Sequence, residues 1–254
     1  MSHCISAPVP VNESDRLAAL DAFQIVDTPP EKEFDRLVET VCAIFDVPIA
    51  LVSLVTHDRQ VFKARTGLPA VSTGRDASFC AYAILGDDVF VVPDATLDPR
   101  FKNNPLVTGA PHIRFYAGAP LVSPSGHHLG SLCIIDTKPR LNFPVTDRRT
   151  LENLAALAMD RMELRRLEQV AADGLERSEN IAASSPDAIV TAGRDNRITS
   201  WNAAAEHMFG YTAIEAIGRS LALIVPPAMR SAHRSGLTRV SSGEAPRLLG
   251  TTVD

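Results

Sequence analysis

The chain has no long hydrophobic run, no excess of basic residues and few cysteines, and each shortage narrows what it does. Its longest strongly apolar stretch, Val47 to Val55, is far short of the roughly 20 residues a membrane-spanning helix needs. The N-terminus, Met1-Ser-His-Cys-Ile-Ser-Ala-Pro8, has neither the basic region nor the apolar core of a signal peptide, so a soluble cytoplasmic protein is expected. Lysine and arginine number 25 against 30 aspartates and glutamates, a net charge of −5, which is not the basic stripe of a dedicated nucleic-acid binder. Cys4, Cys42, Cys80 and Cys133 are scattered with no Cys-x-x-Cys pair, which excludes the usual spacings for zinc or dithiol redox work. Cys42 and Cys133 lie in apolar runs and read as small buried hydrophobes. No Gly-rich phosphate loop occurs, and nothing repeats at the period of a solenoid. What remains is ordinary globular composition, 45% hydrophobic and 22% charged, in 254 residues that allow two modest domains or one large one.

The periodicity changes along the chain. Glu13 to Phe23 has helical spacing through Leu17, Leu20 and Phe23, and Pro29-Pro30 opens a second helix whose stripe is Phe34, Leu37, Val38, Val41, Cys42 and Phe45. Ile49–Val55 and Val61–Arg65 then read as an antiparallel hairpin around His57-Asp58-Arg59. Further strands are predicted at Val89–Val92, Arg114–Val122 and His128–Ile135, the last two joined by the turn residues Pro124-Ser-Gly126. Strands joined by short turns, with helices at both ends, indicate an α+β fold whose antiparallel sheet carries helices on one face. The other face is left with a crevice beneath the long connection from Gly67 to Pro111, and connections of that length are usually functional.

From Thr146 to about Leu175 the sequence is helical, with Thr146 and Asp147 suited to its N-terminus. One heptad phase puts Leu154, Arg161, Glu168 and Leu175 at a, and Leu157, Leu164 and Ala171 at d, a marginal seam for a parallel homodimer. A solvated linker helix is the alternative. Beyond Glu179 two short strands, Ala188–Ala192 and Arg197–Trp201, flank a Gly193-Arg-Asp-Asn196 turn. A helix Asn202–Phe209 stops at Gly210, Thr212-x-x-Glu215 is a capping box, and Pro226-Pro227 starts a helix through His233 toward Val240.

Ser78-Phe-Cys-Ala-Tyr-Ala-Ile84, Val92-Pro-Asp-Ala95, Asp98-Pro-Arg-Phe101, Asn104-Pro-Leu-Val-Thr-Gly109, Ile113-Arg-Phe-Tyr-Ala-Gly-Ala-Pro120 and Gly130-Ser-Leu-Cys-Ile-Ile-Asp136 together resemble a GAF domain, the small-molecule sensing module of bacterial signalling proteins. Ser185-Pro-Asp-Ala-Ile189, Ile198-x-x-Trp-Asn202 and Ala205-Glu-x-Met-Phe-Gly-Tyr211 resemble the first part of a PAS domain. The implied organisation is a tail at 1–13, a GAF sensor at 14–145, a linking helix at 146–178 and a partial PAS domain at 179–254. A PAS domain normally adds three long strands after the helix carrying His233, and no kinase, Gly-Gly-Asp-Glu-Phe or Glu-Ala-Leu output motif is present. The resemblance therefore implies the input region of a sensor histidine kinase or a cyclic-di-GMP enzyme, with no enzyme in this chain and an output domain as attached or separate partner.

The expected GAF pocket is lined or rimmed by Phe79, Cys80, Asp94, Arg100, Phe101, Arg114 and Tyr116, the charged members anchoring an unknown small molecule. The competing reading of Asp94, Asp98, Arg100 and Arg114 is a structural ion-pair network. Bilin attachment at Cys80 is disfavoured because Ala81, not histidine, follows it, and a cyclic nucleotide is disfavoured because no Asp-Glu dipeptide occurs. Thiol redox sensing at Cys80 requires a lowered pKa. His233, with Arg239 and Arg247-Leu-Leu-Gly250, is similar to the haem PAS domain of rhizobial oxygen sensors, which implies a haem axial ligand; near Val253 the distal arginine of that group is replaced. His127-His128 point to opposite faces of a strand and do not chelate one metal. Two further alternatives stand: a GAF scaffold that binds nothing and only dimerises, its pocket filled by Phe79, Phe101 and Tyr116, and a free-methionine-sulfoxide reductase, set aside because its cysteines must cluster and these are far apart in sequence.

Overall fold

A computed structural model of the chain describes residues 5–193 and 195–241. The chain divides into two compact units, Met1–Gln169 and Val170–Asp254. The first unit begins with α1 (Glu13–Asp21) and α2 (Lys32–Phe45), followed by the hairpin β1 (Ile49–Val55) and β2 (Arg59–Thr66). Three short elements, β3 (Ser72–Gly74), α3 (Cys80–Ala83) and β4 (Phe90–Val92), lie in the long connection with α4 (Pro105–Thr108). The strands β5 (Phe115–Val122) and β6 (His128–Asp136) complete a six-stranded sheet in the order β3-β2-β1-β6-β5-β4, and every paired neighbour is antiparallel. The helix α5 (Val145–Ser184) follows.

Alternation along the strands sorts the sheet into two faces. Ala50, Val52 and Leu54 of β1, Phe115, Ala117 and Ala119 of β5, and Leu132 and Ile134 of β6 form one core with Phe34, Val38 and Val41 of α2 and Leu151, Ala155, Ala158 and Met162 of α5. The intervening residues Ile49, Leu51, Tyr116, Cys133 and Ile135 form a second core with Phe79, Cys80, Phe101 and Ile113 from the long connection. The central strand β1 is buried along its whole length, which is why it reads as a continuous apolar run rather than an alternating one.

Helix α2 starts at Lys32 rather than at Pro29-Pro30. Lys63, almost fully buried on β2, takes the Pro29 carbonyl at 2.8 Å and the Glu31 carboxylate at 2.6 Å, so these residues stay extended. Arg165 of α5 also donates to Glu31, at 2.8 Å, tying helix to sheet through one carboxylate. Helix α5 runs to Ser184 instead of stopping near Leu175, because the next strong breaker is Pro186, which disfavours helix at the residue before it.

In the second unit, β7 (Val190–Ala192) and β8 (Ile198–Trp201) pair antiparallel, followed by α6 (Ala203–Phe209), α7 (Ala213–Ala216) and α8 (Arg230–Ser241). Asn202 caps α6 by accepting from the Ala205 amide, and Gly210 ends it in the left-handed region at φ 76°. Thr212 and Glu215 form the reciprocal capping box of α7. Ile198, Trp201, Ala205 and Ala216 make a small core of their own. The segment expected as one helix from Pro226 is a 3₁₀ turn at Pro227–Met229 and then α8.

Candidate ligand cavity on the open face of the sheet

The face of the sheet away from α2 and α5 carries a cavity of about 210 Å³. Its floor is Leu51 of β1, Phe62 of β2, Tyr116 of β5 and Ile135 of β6, all of one strand parity or register. The connection supplies the walls: Leu68, Pro69, Ala70, Phe79, Leu106, Ala110, Pro111 and Ile113. An aromatic cluster abuts it. Phe79 stacks on Phe101 with ring centroids 3.9 Å apart, and Tyr116 lies 5.1 Å from Phe79. These rings fill part of the space expected for a collapsed scaffold, and the cavity remains beside them.

One corner is polar. Gln60 donates from Nε2 to Thr73 Oγ1 at 2.6 Å, while its Oε1 accepts from Ser78 at 2.6 Å and from Ser53 at 3.3 Å. The Tyr116 hydroxyl donates to Cys80 Sγ at 3.4 Å and lies 3.2 Å from Ser131 Oγ. Gly118 makes this possible: a Cβ there would lie 2.3 Å from the Tyr116 hydroxyl oxygen, so the tyrosine folds across a strand position that has no side chain. Cys80 and Cys133 have their sulfurs 3.8 Å apart.

Of the residues singled out in the sequence, Phe79, Cys80 and Tyr116 line the cavity, and Phe101 supports Phe79 from behind. The charged ones do not line it. Arg114 grips Asp94 with two bonds of 2.8 and 2.6 Å, and Arg100 grips Asp98 with two of 2.9 and 2.6 Å. The Arg114 hydrogen bonds hold the Asp94 carboxyl well below the usual carboxylate range, and its Oδ1 also accepts from Thr96. The Arg100 guanidinium lies over the Phe90 ring at 4.9 Å. Asp94, Arg100 and Arg114 thus shape the loops beside the cavity, and the lining contains no lysine, arginine, aspartate or glutamate. Gln60, Thr73, Leu51, Phe62 and Ile135 are lining residues that the sequence reading missed. Strand alternation carries that signal for Leu51, Tyr116 and Ile135, but only the fold brings Gln60 and Thr73 to the same corner.

The separation of the cysteines also needs correcting: Cys80 and Cys133, 53 residues apart, are in contact, whereas Cys42 lies in the other core's margin. Among the described residues no group of three or more histidines, cysteines and carboxylates is placed to hold a metal ion. No helix among them is long and apolar enough to cross a membrane. In the second unit His233 sits on α8 with its Nε2 buried and without a hydrogen-bond partner among the described residues. The side chains of Leu175 and Arg239, together with Arg247–Gly250, Val253 and Cys4, lie outside the described residues.

A GAF domain model matches residues 29–162, more than half of the chain. The chain belongs to the GAF domain family. A PAS fold model matches residues 182–250 of this GAF protein. It is similar to a cyclic di-GMP phosphodiesterase of Pseudomonas aeruginosa, 47% identical over 155 residues that make up 61% of this chain and 26% of that protein. It is also similar to the sensor protein FixL of Bradyrhizobium diazoefficiens, 27% identical over 101 residues, 40% of this chain and 20% of that one. The chain thus spans about a quarter or less of the length of these curated relatives. Among solved structures, the Escherichia coli DhaR(N)–DhaL complex shares the fold with a TM-score of 0.52 at 12% identity, covering 92% of this chain and 82% of that one.

Proposed function

We propose that this GAF–PAS chain is a cytoplasmic sensory input region whose GAF domain binds a small, uncharged, largely apolar molecule and passes the binding event along α5 to an output. The observation that carries this is the cavity itself. It is apolar on nearly every side, offers hydrogen bonding only at the Gln60, Thr73 and Tyr116 corner, and has no cation to balance a phosphate. A cavity of about 210 Å³ with this lining suits a compact ring or branched chain. The likeness to a cyclic di-GMP phosphodiesterase is stronger than the likeness to the sensor protein FixL, and it supports a cyclic-di-GMP-linked output.

Phenol and cyclohexanone are suitable probes, each pairing an apolar body with one hydrogen-bonding group. Both are expected to raise the melting temperature of the chain, by an amount that follows ligand concentration over Kd. Ala70→Trp, which fills the cavity, should abolish that response while leaving the unliganded chain folded. Binding only by phosphate-bearing or cationic compounds, or binding that survives Ala70→Trp, overturns the reading.

A second copy of the chain is the partner we propose for α5. Of the expected seam, the row of Leu157 and Leu164 is the one we retain. Leu154 packs partly against the GAF core, and Arg161 of the same row turns toward Glu33 of α2 and Glu168, so that row faces the chain's own domain. Leu157, Leu164 and Leu167 are about half exposed and lie on the side of the helix away from Leu151, Ala158 and Met162. Leu157 and Leu164 repeat at the heptad interval, as a two-fold seam requires. Cysteines placed at Leu157 or Leu164 should give symmetric disulfide dimers, while one at Arg161 should not. The reverse pattern excludes this seam.

A further inference from the structure

We propose that Cys80 and Cys133 are an oxidisable dithiol site at the cavity wall, where a hydroperoxide entering through the cavity converts the two thiols to a disulfide. The site stands apart from any ligand reading, because it rests on the thiol pair and on the route that reaches it.

Cys80 is the first residue of the one-turn helix α3 and contributes to the cavity wall. Cys133 lies in the middle of β6, paired with Leu51 on one side and Gly118 on the other, and is fully buried behind Cys80. Their sulfurs are 3.8 Å apart, so a bond near 2.05 Å requires them to close by about 1.8 Å. The strand partner is fixed by ladders on both sides, whereas α3 is a single turn in a long connection. Closure therefore falls to α3. It would draw Phe79 and Tyr82, the neighbours of Cys80 on that turn, toward the sheet and reshape the cavity wall.

The surroundings also divide the roles of the two sulfurs. Burial pushes both thiols up, but at Cys80 the hydrogen bonds of Cys133, Ser131, Ser53 and Tyr116 outweigh it and hold that thiol below its ordinary value. Burial and the neighbouring Cys80 push Cys133 well above its own. Cys80, the sulfur that the cavity reaches, is thus the one that loses its proton first.

With hydrogen peroxide as oxidant, the Cys80 thiolate attacks one peroxide oxygen and the O–O bond breaks. The departing hydroxide takes a proton and leaves as water, with Cys80 as a sulfenic acid. The Cys133 sulfur then attacks the Cys80 sulfur, the S–O bond breaks, and the oxygen leaves with the Cys133 proton as a second water. Two thiols lose two electrons in total, and one peroxide becomes two waters.

The test uses the full chain with no substitution. After peroxide treatment and quenching, intact mass should fall by two hydrogens, denatured free thiols should fall by two, and peptide mapping should join the Cys80 and Cys133 peptides. Dithiothreitol should reverse all three changes. In Cys133→Ser the resolving sulfur is gone, and dimedone should label Cys80. A disulfide that joins Cys42 instead, irreversible oxidation of Cys80 without a crosslink, or an unchanged pair while Cys42 is oxidised would each overturn the proposal. The mapping on the natural chain decides the matter even where Cys133→Ser fails to fold.

Discussion

Replacing Glu13 by glutamine is expected to cost the GAF domain about 3–5 kcal/mol at neutral pH, the usual cost of breaking a buried ion pair from one side. The reason lies in Arg16, whose side chain is only 1% exposed. Glu13 meets it through two bonds, 2.7 Å from Nε and 2.8 Å from Nη2, and also pairs with Arg75, which itself donates to the carbonyl of Thr56 at 2.9 Å. The three side chains pin α1 to the turn between β1 and β2. Without the carboxylate, the Arg16 guanidinium keeps a 3.4 Å bond to the His128 carbonyl and has no counter-charge from Glu13. Burial by itself would raise the Glu13 pKa, but hydrogen bonds and charge from Arg16 and Arg75 outweigh it and pull the group down to about 2 from an ordinary 4.5. The folded value is the lower one, so the stabilisation is complete above about 4.5 and drains away as pH falls toward about 2. Urea unfolding at a series of pH values should therefore show the gap between natural chain and Glu13→Gln at its widest near neutrality and narrowing below pH 4.5. A gap that is constant with pH would mean that packing, and not charge, holds α1 in place.

The elements of this fold that are legible in sequence are those whose signal is local. Phe34, Leu37, Val38, Val41 and Phe45 announce α2 because one helix face is buried, and Ile49–Val55 announces β1 because both strand faces are. The capping box at Thr212 and the stop at Gly210 are written in single residues whose chemistry admits few alternatives. The segments β3, α3 and α4 are three or four residues long, too short for any period to emerge, and they exist because the connection must cross the sheet. The cavity is half legible for the same reason. Tyr116 and Ile135 follow from parity on predicted strands, while the meeting of Gln60 with Thr73, and of Cys80 with Cys133, depends on where α3 and β3 settle over the sheet. Asp94 and Arg114, 20 residues apart, satisfy each other, which is the ion-pair reading that stood beside the anchoring one; a sequence shows the charges without their pairing. The linking helix shows both outcomes at once: its presence follows from composition, but its end at Ser184 lies beyond the expected one, and which apolar row is free depends on the row that the GAF core has already taken.

Gly130→Ala should be among the most damaging single methyls in the GAF domain, costing roughly 3 kcal/mol or more, at or above the top of the usual range for overpacking. Gly130 stands on β6 between Leu54 of β1 and Leu121 of β5, in the middle of the sheet. A Cβ there would lie 1.9 Å from the Ser53 carbonyl oxygen and 2.8 Å from the Leu54 Cα. Both are backbone atoms of a strand buried on both faces, so no side chain can rotate away and β1 itself has to move. Ser53 is the serine that donates to Gln60 at the polar corner of the cavity, and Leu51, two residues before it, forms part of the floor. The damage should therefore reach the cavity as well as the stability. Gly126→Ala is the control for backbone conformation: it sits in the β5–β6 turn at φ 80° with open space around it, so it carries strain without a clash. Chemical denaturation should rank Gly130→Ala well below Gly126→Ala, and amide exchange across β1 and β6 should accelerate in the former alone. If the two variants lose equal stability, the close approach of β6 to β1 is not what requires a glycine at this position.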